Sequence, residues 1–268
     1  MNKLIYLFPL FMLSCSGHQK EASLPELLKK GKWIDLTYSF SAETVYWPTA
    51  DLFRFDTAFV GETAGGFYYE AYNFCAAEHG GTHLDAPVHF AKGKWTADQI
   101  PLEKLTGEAL VIDVSSAVAS NPDYQITVDD IITWEKTNGP IPDDAILLFR
   151  TGYGKHYPDA VKYLGTAERG PAAVAKLHFP GIGPEAAKWL VSNRTINAAG
   201  IDAASVDYGQ STDFMTHRIL YEKNIAGFEN LANLDQLPVK GAYIIALPMK
   251  IKNGSGGPLR IAAWISHE

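Results

Sequence analysis

The chain has 268 residues, of which 47% are hydrophobic, 12% aromatic and 20% charged. That apolar fraction suffices for a substantial core and excludes an intrinsically disordered protein. A formal net charge of -7 leaves no basic surface to neutralise phosphates, so nucleic acid is excluded as a partner.

Residues 1–15 read as an export segment. Lys3 supplies the positive start, residues 4–13 are apolar, and Leu13-Ser14-Cys15 has the pattern of a lipoprotein processing site. Ten such residues in a helix reach about 15 Å, about half of a hydrocarbon core, so cleavage is expected rather than a membrane span. The expected organisation is a signal peptide over 1–15 with Cys15 lipidated, a polar tether over 16–23, and one domain over 24–268. The mature protein would then be periplasmic or held at a membrane by its lipid alone. With Cys15 acylated, Cys75 is the one thiol left, so no intramolecular disulfide forms. In an apolar strand Cys75 is expected to be a small core residue.

Residues 24–30 are a short helical candidate ending at Gly31. Stretches 33–40, 53–60 and 66–76 are rich in aromatic and β-branched residues and read as strands. Residues 110–114 and 145–150 are short, continuous apolar runs of the kind buried strands carry. Between them, 128–136 has helical spacing opened by Thr127 as N-cap. A helix over 184–192 starts at Pro184, and a strand over 197–202 follows it. A helix over 216–224 precedes strands over 243–249 and 260–266. The run Asn253-Gly254-Ser255-Gly256-Gly257-Pro258 between those strands lacks the Lys and following helix of a phosphate-binding loop, and reads as a plain turn. The sum is an α/β protein: a single compact domain with a mixed β-sheet.

Chemistry concentrates in His79-Gly80-Gly81-Thr82-His83-Leu84-Asp85-Ala86-Pro87-Val88-His89, where three of the chain's 8 histidines fall together with an aspartate. An isolated His is usually a surface or satisfied core residue; the clustering reverses those odds. The glycines and Pro87 argue against a helix, so the ligands are expected on a tight loop on which His79, His83 and Asp85 converge. Two imidazoles and a carboxylate make a borderline donor set suited to Zn or Mn, with positions open to water. His89, beyond the stiffening Pro87, is placed as a general acid/base rather than a ligand. Asp85 also suits a supporting role, orienting an imidazole through its other nitrogen, and Glu78 is a weaker candidate for such support.

The chain resembles the cyclase family of metal hydrolases, which includes bacterial kynurenine formamidases and isatin hydrolases. The resemblance rests on the His-x-x-x-His-x-Asp-x-x-x-His pattern, on Leu148-Phe149-Arg150-Thr151-Gly152, and on His217-Arg218-Ile219-Leu220 through Phe228-Glu229-Asn230-Leu231. It spans residues 33–264. It implies a swivelling β/β/α fold, metal held by His79, His83 and Asp85, a second metal completed by His217 and Glu229 with Asp85 bridging, and His89 as acid/base. It also implies that Trp47, ahead of Pro48, packs against the substrate's aromatic ring, where composition alone favours ordinary core packing. Homo-oligomers, dimers or larger, are a further implication. Two departures separate the chain from the formamidase branch. Thr49-Ala50-Asp51 follows Trp47-Pro48 where formamidases have Gly-Asp, and residues 154–179, carrying His156, Tyr157, His178 and Phe179, are longer. With Ile201-Asp202 and the run from Ser205 to Gln210, the chain is more similar to the isatin hydrolases. Asp202 and Asp207 read as solvated or capping strand-end carboxylates.

The expected activity is hydrolysis of an amide C–N bond in a small aromatic substrate, an isatin-type lactam or an N-formylkynurenine-type arylformamide. A divalent ion lowers the pKa of a bound water from 15.7 to about 7 and so supplies hydroxide at neutral pH. The alternatives are the arylformamidase of tryptophan catabolism and, from another class, a lipid-anchored protein that binds metal or ligand without turnover. A non-ligating His89 beside open coordination positions speaks for turnover.

Overall fold

The computed structural model describes residues 23–267. The expected signal peptide, Cys15 and nearly all of the tether lie outside them. The strands are β1 (Gly31–Asp35), β2 (Arg54–Glu62), β3 (Tyr68–Cys75), β4 (His83–Asp85), β5 (Thr106–Asp113), β6 (Gln125–Ile126), β7 (Ala145–Arg150), β8 (Gly181–Ile182), β9 (Ile196–Ile201), β10 (Ala226–Glu229), β11 (Ala242–Pro248) and β12 (Gly256–Ser266). The helices are α1 (Leu24–Leu28), α2 (Ser115–Ser120), α3 (Val128–Asn138), α4 (Ala160–Leu164), α5 (Pro171–Val174), α6 (Pro184–Asn193) and α7 (Met215–Tyr221).

Eight strands form one mixed sheet in the order β1-β12-β11-β5-β7-β9-β10-β4, and β4 pairs back onto β12 to close a ring. Strands β5, β7, β9 and β10 run parallel, as the crossover helices between them require, whereas β11, β12 and β4 are antiparallel to their neighbours. Closure depends on the length of β12. Gly256–Pro258 pair with β4, Leu259 to Ile265 with β11, and Ala262 to Ser266 with β1. The expected plain turn over 253–258 is therefore half strand. Its first half turns the chain, and Gly256 enters the ring where a Cβ would lie 2.4 Å from the Leu84 carbonyl oxygen.

Alternation of side chains along the strands sorts two cores. Val111, Ile146, Leu148, Phe228, Ile244 and Ile261 fill one face. Leu110, Ile112, Leu147, Phe149 and Ile201 pack against Ile131 and Trp134 of α3 and Leu190 of α6. Helix α3 starts as the sequence implies: the Thr127 side chain accepts from Asp130 N, and Asp130 reaches back to Thr127 N at 2.7 Å, a reciprocal cap.

The strand expected over 33–40 is regular only to Asp35. Strands β2 and β3 pair with each other alone, forming a hairpin outside the main sheet. Phe55 and Phe67 on it are 60% and 61% exposed, and Tyr68, Tyr69 and Phe74 are exposed with them. The aromatic content that marks these stretches as strands thus belongs to a projecting arm. Cys75, at the end of β3, is exposed, contrary to its expected place in the core.

Candidate metal centre

Glycine first shapes the approach to the site. Gly80 forms an isolated bridge with Tyr46, and a Cβ at Gly80 would lie 2.0 Å from the Tyr46 ring. Gly81 takes φ +56°, the left-handed region, and turns the chain into β4. The ligand loop inferred from the glycines therefore ends at Thr82, and His83 and Asp85 stand on a strand. Two residues apart, they share one face, while Leu84 between them is buried in the other core. Strand pairing supplies the remaining carboxylate, because Glu229 of β10 lies directly opposite His83. Asp85 has glycine on both sides, Gly227 of β10 and Gly256 of β12. A Cβ at Gly227 would meet the Tyr221 hydroxyl at 2.4 Å, and the space left free lets that hydroxyl donate to Asp85 Oδ2 at 2.8 Å.

His217 arrives from α7. Asp207 fixes it, accepting the backbone N–H groups of Thr216 and His217 at 3.1 Å each and His217 Nδ1 at 2.5 Å. Asp207 is buried and holds the ring, a role not assigned to it from sequence; Asp202, also buried, accepts from Thr151 and Gly152 instead.

The direction of each imidazole follows from its hydrogen bonds. His83 Nδ1 donates to the Gly81 carbonyl at 2.9 Å, which leaves Nε2 facing Asp85 Oδ1 at 3.1 Å and Glu229 Oε2 at 3.4 Å. His217 Nδ1 is committed to Asp207, and its Nε2 faces Asp85 Oδ2 and Glu229 Oε1, each at 3.2 Å. His79 has Nε2 on Ser255 Oγ at 2.8 Å and Nδ1 at 2.6 Å from Asp85 Oδ1. One nitrogen of each ring is thus tied outward and the other aimed at Asp85, with Glu229 also facing those of His83 and His217. His83 Nε2 is fully buried without a hydrogen-bond partner, a cost that a coordinated cation removes. The donors form two overlapping groups, His79, Asp85 and His89, and His83, Asp85 and Glu229; within each, the ligand atoms lie within 4.8 Å of one another. Nitrogen and oxygen donors of this kind fit a divalent cation.

Electrostatics agree with that fit. Burial opposes a charge on His83, yet neighbouring Asp85 and Glu229 raise its pKa to about 10. His217 is likewise raised, against burial, by Asp207, Asp85 and Glu229. Asp85 is held well below the usual carboxylate range in spite of its burial by His79, His217 and His83. Protons and a cation compete for the same inward nitrogens. His89 differs: burial lowers it to about 4, against the pull of Asp85, so its imidazole is neutral at pH 7. It lies stacked on His79 with ring centroids 3.8 Å apart.

Above the centre is a cavity of about 290 Å³ lined by Val45, Trp47, Phe90, Leu164, Phe214 and others. Trp47 sits edge-on to Phe179 at 6.3 Å, so residues 154–179 build part of the wall. Arg169 of the same stretch donates to the carbonyls of Tyr46, Trp47 and Ala50, and clamps the segment that carries Trp47.

The family model described as "Putative cyclase" matches residues 34–208. The chain belongs to the cyclase family. An isatin hydrolase of Roseibium aggregatum is 36% identical over 196 residues, 70% of this chain and 72% of that protein. A kynurenine formamidase of Salinibacter ruber is 28% identical over 233 residues, 85% and 94% of the two chains. Isatin hydrolase A of Labrenzia aggregata, solved bound to benzyl benzoate, superimposes with a TM-score of 0.80 at 34% identity, covering 89% of this chain and 95% of that one. Isatin hydrolase A of Ralstonia solanacearum gives a TM-score of 0.81 at 33% identity, with 92% and 99% covered. As a cyclase-family member the chain is a metal-dependent hydrolase on a single mixed α/β domain, as expected from sequence.

Buried Asp85 and Glu229 would gain compensation from a bound cation, so a chelator should strip one or more divalent ions from the purified protein. Its thermal midpoint should then fall, and return on adding Mn²⁺ or Zn²⁺. A midpoint indifferent to both treatments would contradict a metal held at these residues.

Proposed function

We propose that the chain hydrolyses the amide C–N bond of a small aromatic lactam of the isatin type. The observation that carries the reading is the convergence of His79, His83, His217, Asp85 and Glu229 beneath an apolar, aromatic-walled cavity with neutral His89 at its floor. Similarity supports the lactam over the formamide, since the isatin hydrolase match is 36% identical and the formamidase match 28%. The length of residues 154–179, which supply Leu164 to the wall and pack Phe179 against Trp47, favours the same side.

In this reading His79, His83 and Asp85 would hold one divalent ion, Zn or Mn, and His217 and Glu229, together with Asp85, would hold a second. When bound, the ion polarises the substrate carbonyl and makes water acidic enough to attack at neutral pH. Trp47 and Phe214, packed on each other with ring centroids 6.2 Å apart, offer one aromatic wall for the substrate ring. Neutral His89 takes a proton from the attacking water on a ring nitrogen and returns it to the leaving nitrogen as the C–N bond breaks. A carboxylate and an arylamine result. Asp207, the Gly81 carbonyl and Ser255 hold their imidazoles in place throughout. The exposed aromatic faces of the β2–β3 hairpin support a homo-oligomer in which a second copy covers the arm. Light scattering should then give a mass of a dimer or larger, and a monomer would remove that proposal.

Paired assays of isatin and N-formylkynurenine on one metal-loaded preparation test the substrate. Faster isatin turnover is expected, and turnover of N-formylkynurenine alone would overturn the lactam reading in favour of the arylformamidase. His89→Ala should retain the metal content of the parent and lose roughly 10²- to 10⁴-fold in kcat, the usual worth of a positioned acid/base. Since His89 also lies within ligand reach of His79 and Asp85, loss of the metal would instead make it a ligand.

A further inference from the structure

Ser255 stands in the glycine-rich run that reads as a plain turn, yet its side chain reaches the metal centre. Its hydroxyl donates to Glu78 Oε2 at 2.6 Å, and its backbone N–H donates to the same oxygen at 2.9 Å. The same hydroxyl oxygen lies 2.8 Å from His79 Nε2. A hydroxyl has one proton, and an ionised carboxylate only accepts. With that proton committed to Glu78, the Ser255 oxygen is an acceptor toward His79, so His79 Nε2 is the protonated nitrogen. Its Nδ1 then presents a bare lone pair toward Asp85 Oδ1, 2.6 Å away. Two acceptors at that separation repel unless a cation lies with them.

The surrounding backbone is built for this contact. A Cβ at Gly256 would stand 2.6 Å from His79 Cε1, and one at Gly254 would stand 2.8 Å from Glu78 Oε1. Neither glycine has a positive φ, so both are needed for space rather than for conformation. The loop is tied to the ligand segment by Ala86 N donating to the Ser255 carbonyl at 2.8 Å.

We infer that Glu78 and Ser255 are positioning residues for the metal centre: together they fix His79 as the tautomer protonated at Nε2 and offer Nδ1 to the metal. The inference rests on the metal reading above and adds to it the residues that set the direction of one ligand. Partners of this kind tune affinity by about 10- to 100-fold.

Two substitutions separate proton direction from packing. Ser255→Ala removes the acceptor. Glu78→Met keeps the length of the side chain but removes the acceptor, freeing the hydroxyl proton to point at His79 Nε2 and favouring the opposite tautomer. Affinity for Mn²⁺ is measured on full-length parent and variants by competition with a chromogenic chelator, and the His79 tautomer is read in the Zn²⁺-loaded, diamagnetic proteins by ¹⁵N NMR of the imidazoles. The expected result is a proton on Nε2 in the parent, a shift of the His79 signals in both variants, and Mn²⁺ binding weakened about 10- to 100-fold. Rescue of both readouts is expected in Ser255→Thr, which keeps the hydroxyl. Variants that bind Mn²⁺ within twofold of the parent, or a parent His79 protonated at Nδ1, would overturn the inference and leave the metal reading intact. A parent that binds no Mn²⁺ would remove both.

Discussion

The structure turns on the burial of two carboxylates, Asp85 and Glu229, face to face with the inward nitrogens of imidazoles. In a low-dielectric interior such a pair is strongly unfavourable by itself, and the protein compensates by aiming His79, His83 and His217 at it. Each ring is then prevented from turning away, by Ser255, by the Gly81 carbonyl or by Asp207. What results is a cluster whose remaining valence matches a divalent cation. Closure of the ring by β12 on β4, the glycines beside Asp85 and the capping of α7 by Asp207 all serve to assemble it.

The composition of residues 79–89 made the donors legible, because three of the chain's 8 histidines beside an aspartate within eleven positions have few structural uses. The local conformation was less so. Two glycines and a proline suggested a loop throughout, while His83 to Asp85 form a strand because pairing from β10 and β12, both far off in sequence, supplies the ladder. His217 and Glu229 were placed by resemblance and not by pattern: one sits on a helix and the other on a strand, and no spacing rule joins them. Asp207 escaped for the same reason, as its value lies in a hydrogen bond to a ring ten residues away. The buried parallel strands β5, β7 and β9 were readable from their continuous apolar runs. The arm was readable as two strands, but its place outside the main sheet was not, because aromatic and β-branched content reports strand character and says nothing about partners.

Residues 154–179, an extension when judged by sequence, prove to be part of the site. Arg169 clamps the backbone from Tyr46 to Ala50, Leu164 lines the cavity and Phe179 meets the edge of Trp47. Pocket shape is thus set by a segment outside the metal-binding strands.

Crystals of the Mn²⁺-loaded protein, with the ion located by its anomalous scattering, test the central claim most directly. The account predicts a peak bounded by Asp85 and the bare nitrogens of His79 and His83, with the His89 ring outside coordination distance. A peak ligated by His89 in place of His83, or one lying away from Asp85, would contradict it.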